Sequence, residues 1–408
     1  MFDFSDNLFL KRVLFFLALL LAFSIALPIR ANAIVTVSIF SVFALLTWFS
    51  SGVTKQNILS PIFLLISILI MILLIGLVHT SEIKNGISDM ERSFFMIAFL
   101  TTIYRFENLG ITVFHLIWAF TVGCFGVTFY GLSYALMFLS SDEYRQVLTL
   151  GHTYFADIIL VHPTYLSAYF IFIFFFLMET LRTRRTILSI FSTTGIGVAA
   201  IFIIAILFLL RAQTGLITFG MLFVIYAIII LKRRAWLVTF LLFTVSLLVF
   251  LLDSSRVATF FDTYGKNVSS ALDQRFSVWR GTIEGIKTAP FFGAGTGGEQ
   301  QLINKGYAIT GYQEGIDNSY NAHNQYLQFL ARNGIPELLC FLALLFYSFR
   351  QSLKMPNYTF LMFNMAVTLI MFTESFLDVQ RGIVFFYFFL CAFIYLPYES
   401  TPQPGKSV

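Results

Sequence analysis

His323 is one of only five histidines in the chain, and it sits in Ala322-His323-Asn324-Gln325-Tyr326-Leu327-Gln328, with Arg332-Asn333-Gly334 just beyond. An imidazole between amide side chains, where a polar stretch meets an apolar run, is a candidate general base at a bilayer surface. Asn324 and Gln328 are candidates for holding ligand hydroxyls, a sugar's for instance; such amides also suit tying down a loop. Arg211 lies in Leu210-Arg211-Ala212-Gln213-Thr214-Gly215, between two apolar runs. Burying an arginine at membrane depth costs about 2.5–3.5 kcal/mol even on a mild insertion scale. It therefore needs an acidic or carbonyl partner, a route to the headgroups, or a phosphate ligand.

Arg275 precedes Trp279 by four, a spacing that suits stacking, while its planar fork also matches phosphate oxygens. Arg280 is five residues from Arg275, so on one straight helix the two point about 140° apart. Gly293-Ala294-Gly295-Thr296-Gly297-Gly298 is read first as a tight turn and second as a phosphate cradle. It lacks the Lys-Ser/Thr ending of a nucleotide-binding loop. His162-Pro163-Thr164-Tyr165 opens an apolar run, with proline placed for a helix start. His162 is a candidate for touching substrate. Glu374, Asp378 and Arg381 cluster between the last two runs; they pair with one another, or one of them anchors an arginine of the site. His79, His115 and His152 have no companions at metal-ligand spacing, and Cys124, Cys340 and Cys391 all fall in apolar runs. Neither a metal site nor a disulfide framework is expected.

These residues must be held by membrane helices. Of 408 residues, 58% are hydrophobic and 12% charged, against about 25% charged in soluble domains. A span needs about 20 apolar residues. Twelve apolar runs fit, near 13–29, 33–49, 58–78, 93–104, 109–138, 163–181, 187–210, 215–231, 235–252, 335–349, 358–376 and 382–397. The expected architecture is an all-α polytopic membrane protein. Residues 1–252 hold transmembrane helices 1–9, 253–334 form one large periplasmic loop, and 335–408 hold helices 10–12 with a short tail. Leu272, Phe276, Trp279, Ile283 and Ile286 recur at helical spacing, which predicts an amphipathic helix in that loop, lying on the bundle or in the membrane interface.

Orientation follows from lysine and arginine. With the N-terminus inside, the clusters 182–185 and 232–234 are cytoplasmic, and the long loop is exempt from the positive-inside rule. Both termini are then cytoplasmic. Lys11-Arg12, the first apolar run and Ala31-Asn32-Ala33 also fit a cleavable leader. The sequence pI near 9.0 reflects these clusters and does not point to nucleic acid. A transporter would place ionisable groups mid-membrane; here they sit at the ends of apolar runs, which favours surface chemistry.

Arg211-Ala212-Gln213-Thr214-Gly215, Arg275-Phe276-Ser277-Val278-Trp279, Pro290-Phe291-Phe292-Gly293-Ala294-Gly295 and His323-Asn324 with Gly334 occur in the order and placement of one family. Over roughly 200–350 the chain resembles the O-antigen ligase and polymerase superfamily of bacterial envelopes. It departs at Glu337, where a small residue or tyrosine is usual, and at Ala212-Gln213, where Ser-Arg is common. The resemblance implies an inner-membrane glycosyltransferase with its site on the periplasmic face and no cofactor. The donor would be an undecaprenyl-pyrophosphate-linked glycan and the acceptor, for a ligase, a lipid A–core hydroxyl; a polymerase would join repeat units on the same carrier. His323 would be the base. Arg211 and Arg275 would hold the pyrophosphate, with Arg280 in reserve, and membrane lipids would surround the bundle.

Overall fold

The computed structural model of the chain describes residues 8–48, 60–137, 158–183, 190–210, 212–231, 274–355 and 357–399. Among them every regular element is helical: α1 (Leu8–Ser24), α2 (Ile29–Trp48), α3 (Pro61–His79), α4 (Ile83–Thr102), α5 (Val113–Met137), α6 (Pro163–Thr183), α7 (Ile190–Leu210), α8 (Gln213–Leu231), α9 (274–286), α10 (Glu299–Thr310), α11 (Gln313–Asp317), α12 (Gln325–Ser352), α13 (Thr359–Met371) and α14 (Gln380–Tyr395). Eleven of the twelve apolar runs carry a helix; the run at 235–252 lies outside the described residues. Six segments, within α3, α5, α6, α7, α8 and α12, are long and apolar enough to cross a membrane, as in a multi-pass membrane protein. The run at 93–104 is only the second half of α4. The first half carries Lys84, Asp89, Glu91 and Arg92, which dilute the apolar signal.

Phenylalanine builds the centre. α14 is buried from Arg381 to Phe393, and α6 is buried over most of its length. Phe172 of α6 packs edge-on against Phe363 of α13 and Phe385, Phe389 and Phe393 of α14. In lipid, helices gain little from burying apolar area and associate through close packing. Aromatic pairs add about 0.5–1.5 kcal/mol each beyond that area. α14 has 16 residues; its length of about 24 Å falls short of the ~30 Å hydrocarbon. It tolerates the mismatch because protein surrounds it.

The two ends of α6 are chemically distinct. At its C-terminal end, buried Glu179 accepts from Arg182 Nε at 2.8 Å and Nη2 at 2.7 Å, from Tyr226 Oη at 2.6 Å and from the Tyr358 amide at 3.0 Å. This pins α6, α8 and the start of α13 together. The opposite end, at Pro163, faces the segments that hold the candidate site.

α9 to α11 pack through glycine rather than through an apolar stripe. A Cβ on Gly306 would lie 1.9 Å from Gly281 O, and one on Gly285 would lie 2.3 Å from Leu302 O. The docked face of α9 is therefore Val278, Gly281, Thr282 and Gly285, all buried. Phe276 and Ile283, expected on one apolar face, are 61% and 42% exposed, while Trp279 and Ile286 are half-buried; Leu272 lies outside the described residues.

α12 starts at Gln325, inside the stretch read as loop, and breaks its helical geometry at Asn333 and Gly334. Gly334 has φ 67° and ψ −152°, a region essentially closed to other residues, and a Cβ there would lie 2.2 Å from Phe291 O. The glycine-rich turn braces this break. Ala294 N donates to Ala331 O at 2.9 Å, Gly295 N to Arg332 O at 2.8 Å and Ile335 N to Phe291 O at 3.1 Å. The amides of Ala294 and Gly295 are thus used by the kink, and the turn is structural rather than a phosphate cradle. Gly334→Ala is expected to destabilise the protein by more than the roughly 1–3 kcal/mol of backbone strain alone. Thermal unfolding of the purified protein checks this; an unchanged midpoint would show the kink to be dispensable.

Candidate active site

His323 lies between α11 and α12 with φ 42°, uncommon for a residue with a side chain. Its conformation is held from both sides. His323 N donates to Asn321 Oδ1 at 3.0 Å, and Ala322 N donates to Gln328 Oε1 at 3.1 Å. Trp279 Nε1 reaches the His323 carbonyl at 3.5 Å. Asn324 caps α12: its Oδ1 accepts from the amides of Tyr326 at 3.0 Å and Leu327 at 3.1 Å, and its Nδ2 donates to Phe372 O at 3.0 Å. Asn324 and Gln328 therefore tie down the loop that presents His323.

The ring faces Glu374, from the connection between α13 and α14. His323 Nδ1 lies 3.6 Å from Glu374 Oε2, an ion-pair distance slightly too long for a hydrogen bond. The other carboxylate oxygen takes Arg275: Nη2 to Glu374 Oε1 is 3.2 Å, while Nη1 donates to Thr373 O at 2.7 Å. Burial works against the charged form of Glu374, but His323, Arg275 and His162 outweigh it and hold the carboxyl below its ordinary range. His162, exposed at the start of α6, thus shares the field of the same carboxylate. Its ring meets Tyr165 edge-on at 6.1 Å, and the Thr164 amide donates to its Nδ1 at 3.4 Å.

Chemically this is an imidazole with a carboxylate on Nδ1 and a guanidinium behind the carboxylate. A carboxylate there favours the tautomer with the proton on Nδ1, leaving Nε2 free as a base. Arg275 has five N–H donors; among the described residues two are engaged, so an anion can take the others.

Arg211 lies outside the described residues. Thr214, three positions on, accepts from Thr373 Oγ1 at 3.1 Å, so the start of α8 adjoins the residue whose carbonyl holds Arg275. Arg280 is exposed on α9, away from the Arg275–Glu374 pair, as their angular separation requires.

Glu337 pairs with Arg332 within α12. Arg332 Nε lies 3.1 and 3.2 Å from its two oxygens, and Asn333 Nδ2 donates to Oε2 at 3.1 Å. Arg332, which lies within the expected loop 253–334, is buried. Its Nη1 also lies 3.7 Å from Asp378 Oδ1. Spacing alone does not point to this pair, since residues five apart on a straight helix lie about 140° apart; the break at Asn333 and Gly334 brings them together. Among the described residues no group of His, Cys, Asp and Glu is arranged to hold a metal ion.

Residues 198–342 match the model of a family described as O-Antigen ligase. The matched segment includes His323 and its partners Trp279, Asn321 and Gln328, together with Arg275, Arg332 and Glu337; Phe372, Glu374 and His162 lie beyond it. No curated protein matches the chain. The family match bears out the resemblance to the O-antigen ligase and polymerase superfamily.

Proposed function

We propose that the protein is an O-antigen ligase, an inverting glycosyltransferase that moves an undecaprenyl-pyrophosphate-linked polysaccharide onto a lipid A–core sugar hydroxyl at the periplasmic face of the inner membrane. The observation that supports the glycan-transfer part of this reading is His323 facing Glu374, with Arg275 on the same carboxylate, His323 and Arg275 both falling in the segment matched to the O-antigen ligase family.

His323 Nε2 takes the proton of the acceptor hydroxyl. The hydroxyl oxygen attacks the anomeric carbon from the face opposite the pyrophosphate, forming the new glycosidic bond. The bond from the anomeric carbon to the pyrophosphate oxygen breaks, and its electron pair leaves with undecaprenyl pyrophosphate. Glu374 stabilises the imidazolium that forms. The free donors of Arg275, with Arg211, stabilise the charge growing on the leaving group, the role cationic clamps commonly play. In this scheme guanidinium groups supply the positive charge and no cofactor takes part. Arg275→Lys is expected to weaken donor binding and rate while leaving protein level unchanged, because lysine lacks the planar fork.

Both a ligase and a polymerase deprotonate a sugar hydroxyl and expel the same leaving group, so the site geometry is common to the two. Deletion of the gene separates them. Loss of a ligase leaves long glycan chains stranded on undecaprenyl pyrophosphate and bare lipid A–core outside. Loss of a polymerase still lets one repeat unit reach the core. A gel of extracted lipopolysaccharide is expected to show bare core; core capped with one repeat would replace this reading by the polymerase.

A further inference from the structure

Asn321 and Gln328, which flank His323 in the chain, line a polar cavity of about 270 Å³. Its walls come from α3, α4, α10, the segment before α12, α12, the connection leading into α14 and α14 itself. Asp89, Glu299, Glu337 and Asp378 bring carboxyls to it, while Arg92 and Arg332 bring guanidiniums. Neither His323 nor Arg275 lines it, and the mechanism above uses none of its charged groups.

The cavity is short of hydrogen-bond donors. Arg332 is engaged by Glu337 and faces Asp378, and Arg92 pairs with Asp89 Oδ1 and donates to Asp378 O. The Asp89 side chain is only 6% exposed, yet its Oδ2 is buried with no hydrogen-bond partner; Glu299 Oε2 is likewise buried and unpartnered. A buried carboxylate oxygen without a donor is costly. Burial lifts the Glu299 carboxyl to about 8, Arg332 opposing, and lifts Asp378 to about 6. In the free cavity Glu299 is then protonated near neutral pH and the remaining carboxylates still outnumber the two guanidiniums; an ammonium seated beside Glu299 favours its charged form, which glutamine cannot supply. The field therefore asks for one positive charge and several donors. Gln300, Asn321 and Gln328 add amides, and Leu69, Leu73 and Phe329 add apolar wall. The volume sits just below the roughly 300–1,000 Å³ of drug-sized pockets, which suits one ring rather than a chain.

We propose that this cavity binds a single sugar ring bearing a protonated amino group, with Asp89, Glu299 and Asp378 receiving the ammonium and hydroxyl donors and Gln300, Asn321 and Gln328 meeting the remaining hydroxyls. The choice of a sugar rests on the glycan-transfer reading; the demand for a cationic, donor-rich ligand rests on the cavity alone. Asn321 lines the cavity and also accepts from the His323 amide, so an occupied cavity bears on the loop that presents the base.

Saturation-transfer NMR on the full chain in lipid nanodiscs at neutral pH tests this with three probes: methyl glucosaminide, its N-acetylated form and cyclohexylamine. Methyl glucosaminide is expected to bind at least about tenfold more tightly than either of the others, a margin within the worth of charged hydrogen bonds. Asp89→Asn and Glu299→Gln should each reduce that binding by about 10–100-fold. Glu299→Gln keeps the shape of the wall and deletes no salt bridge, so it remains informative if Asp89→Asn fails to fold. Absence of methyl glucosaminide binding overturns the proposal. So does equal binding of the N-acetylated probe or of cyclohexylamine, or wild-type affinity in Glu299→Gln. Turnover is not read here, so failure of the transferase reading leaves this result standing, and failure of this site leaves the transferase reading standing.

Discussion

His323→Ala is expected to lower glycan transfer by about 10²–10⁴, the usual worth of a positioned acid–base group, with folding and membrane level intact. The structure supports the second half of that statement. His323 holds its place through backbone bonds, its amide to Asn321 and its carbonyl to Trp279, and alanine keeps both groups. Its ring touches Tyr320 only edge-on, with centroids 6.2 Å apart, and its Nδ1 makes no hydrogen bond. Removing the ring therefore leaves the cap of α12 and the brace of its kink untouched. The rate should also fall on the acid side of the wild-type profile, because a protonated imidazole cannot accept the acceptor's proton. Purified, well-folded His323→Ala with near-normal turnover would remove His323 from the mechanism.

Part of this site was legible because its residue types are out of place. Histidine and amides between apolar runs are conspicuous in a chain that is 12% charged. The angular argument correctly separated Arg275 from Arg280. Glu374 was marked as a possible arginine anchor, and it meets Arg275. That it also faces His323 depends on bringing the connection after α13 against the segment before α12, which no local pattern encodes. The roles of Asn324 and Gln328 were open between ligand and loop; their hydrogen bonds here go to the loop and to its cap.

Other features were hidden for identifiable reasons. The start of α12 was missed because Gln325, Gln328, Arg332 and Asn333 interrupt the apolar residues of its first turns, so the hydropathy signal becomes continuous only after the kink. The docking face of α9 was misassigned because glycines pack backbone to backbone, and hydrophobic periodicity counts only side chains. Phe276 and Ile283 dominated that count and turned out exposed. The acidic cavity draws Asp89, Glu299, Arg332 and Asp378 from four separated segments. The one local clue was Asp89, Arg92 and Ser93 sharing a face of α4, where a plain membrane span would be apolar.

Glu374→Gln is the companion experiment, expected to lower transfer by about 10²–10⁴, as positioned bases and their orienting carboxylates do elsewhere. Glutamine keeps the size of the side chain and deletes the charge that faces His323 Nδ1 at 3.6 Å and Arg275 Nη2 at 3.2 Å. The carboxyl is held below its ordinary value of 4.5, burial being outweighed by His323, Arg275 and His162. Its depressed value means that its stabilising contribution is full above the ordinary carboxylate range and is lost only as pH falls through the lowered one. The surroundings of Glu374 thus favour its charged form, which is the form that glutamine removes. Two routes connect Glu374 to the rate, and kinetics tells them apart. If it orients His323 and stabilises the imidazolium, the loss falls on kcat; if it only anchors Arg275, the loss falls on the KM for donor. The first route further requires that Glu374→Gln add little on top of His323→Ala, because a carboxylate acting through a ring has no effect once the ring is gone. A double variant whose losses multiply in full, or a Glu374→Gln enzyme that loses donor affinity alone, would separate the carboxylate from the base and reduce Glu374 to a holder of Arg275.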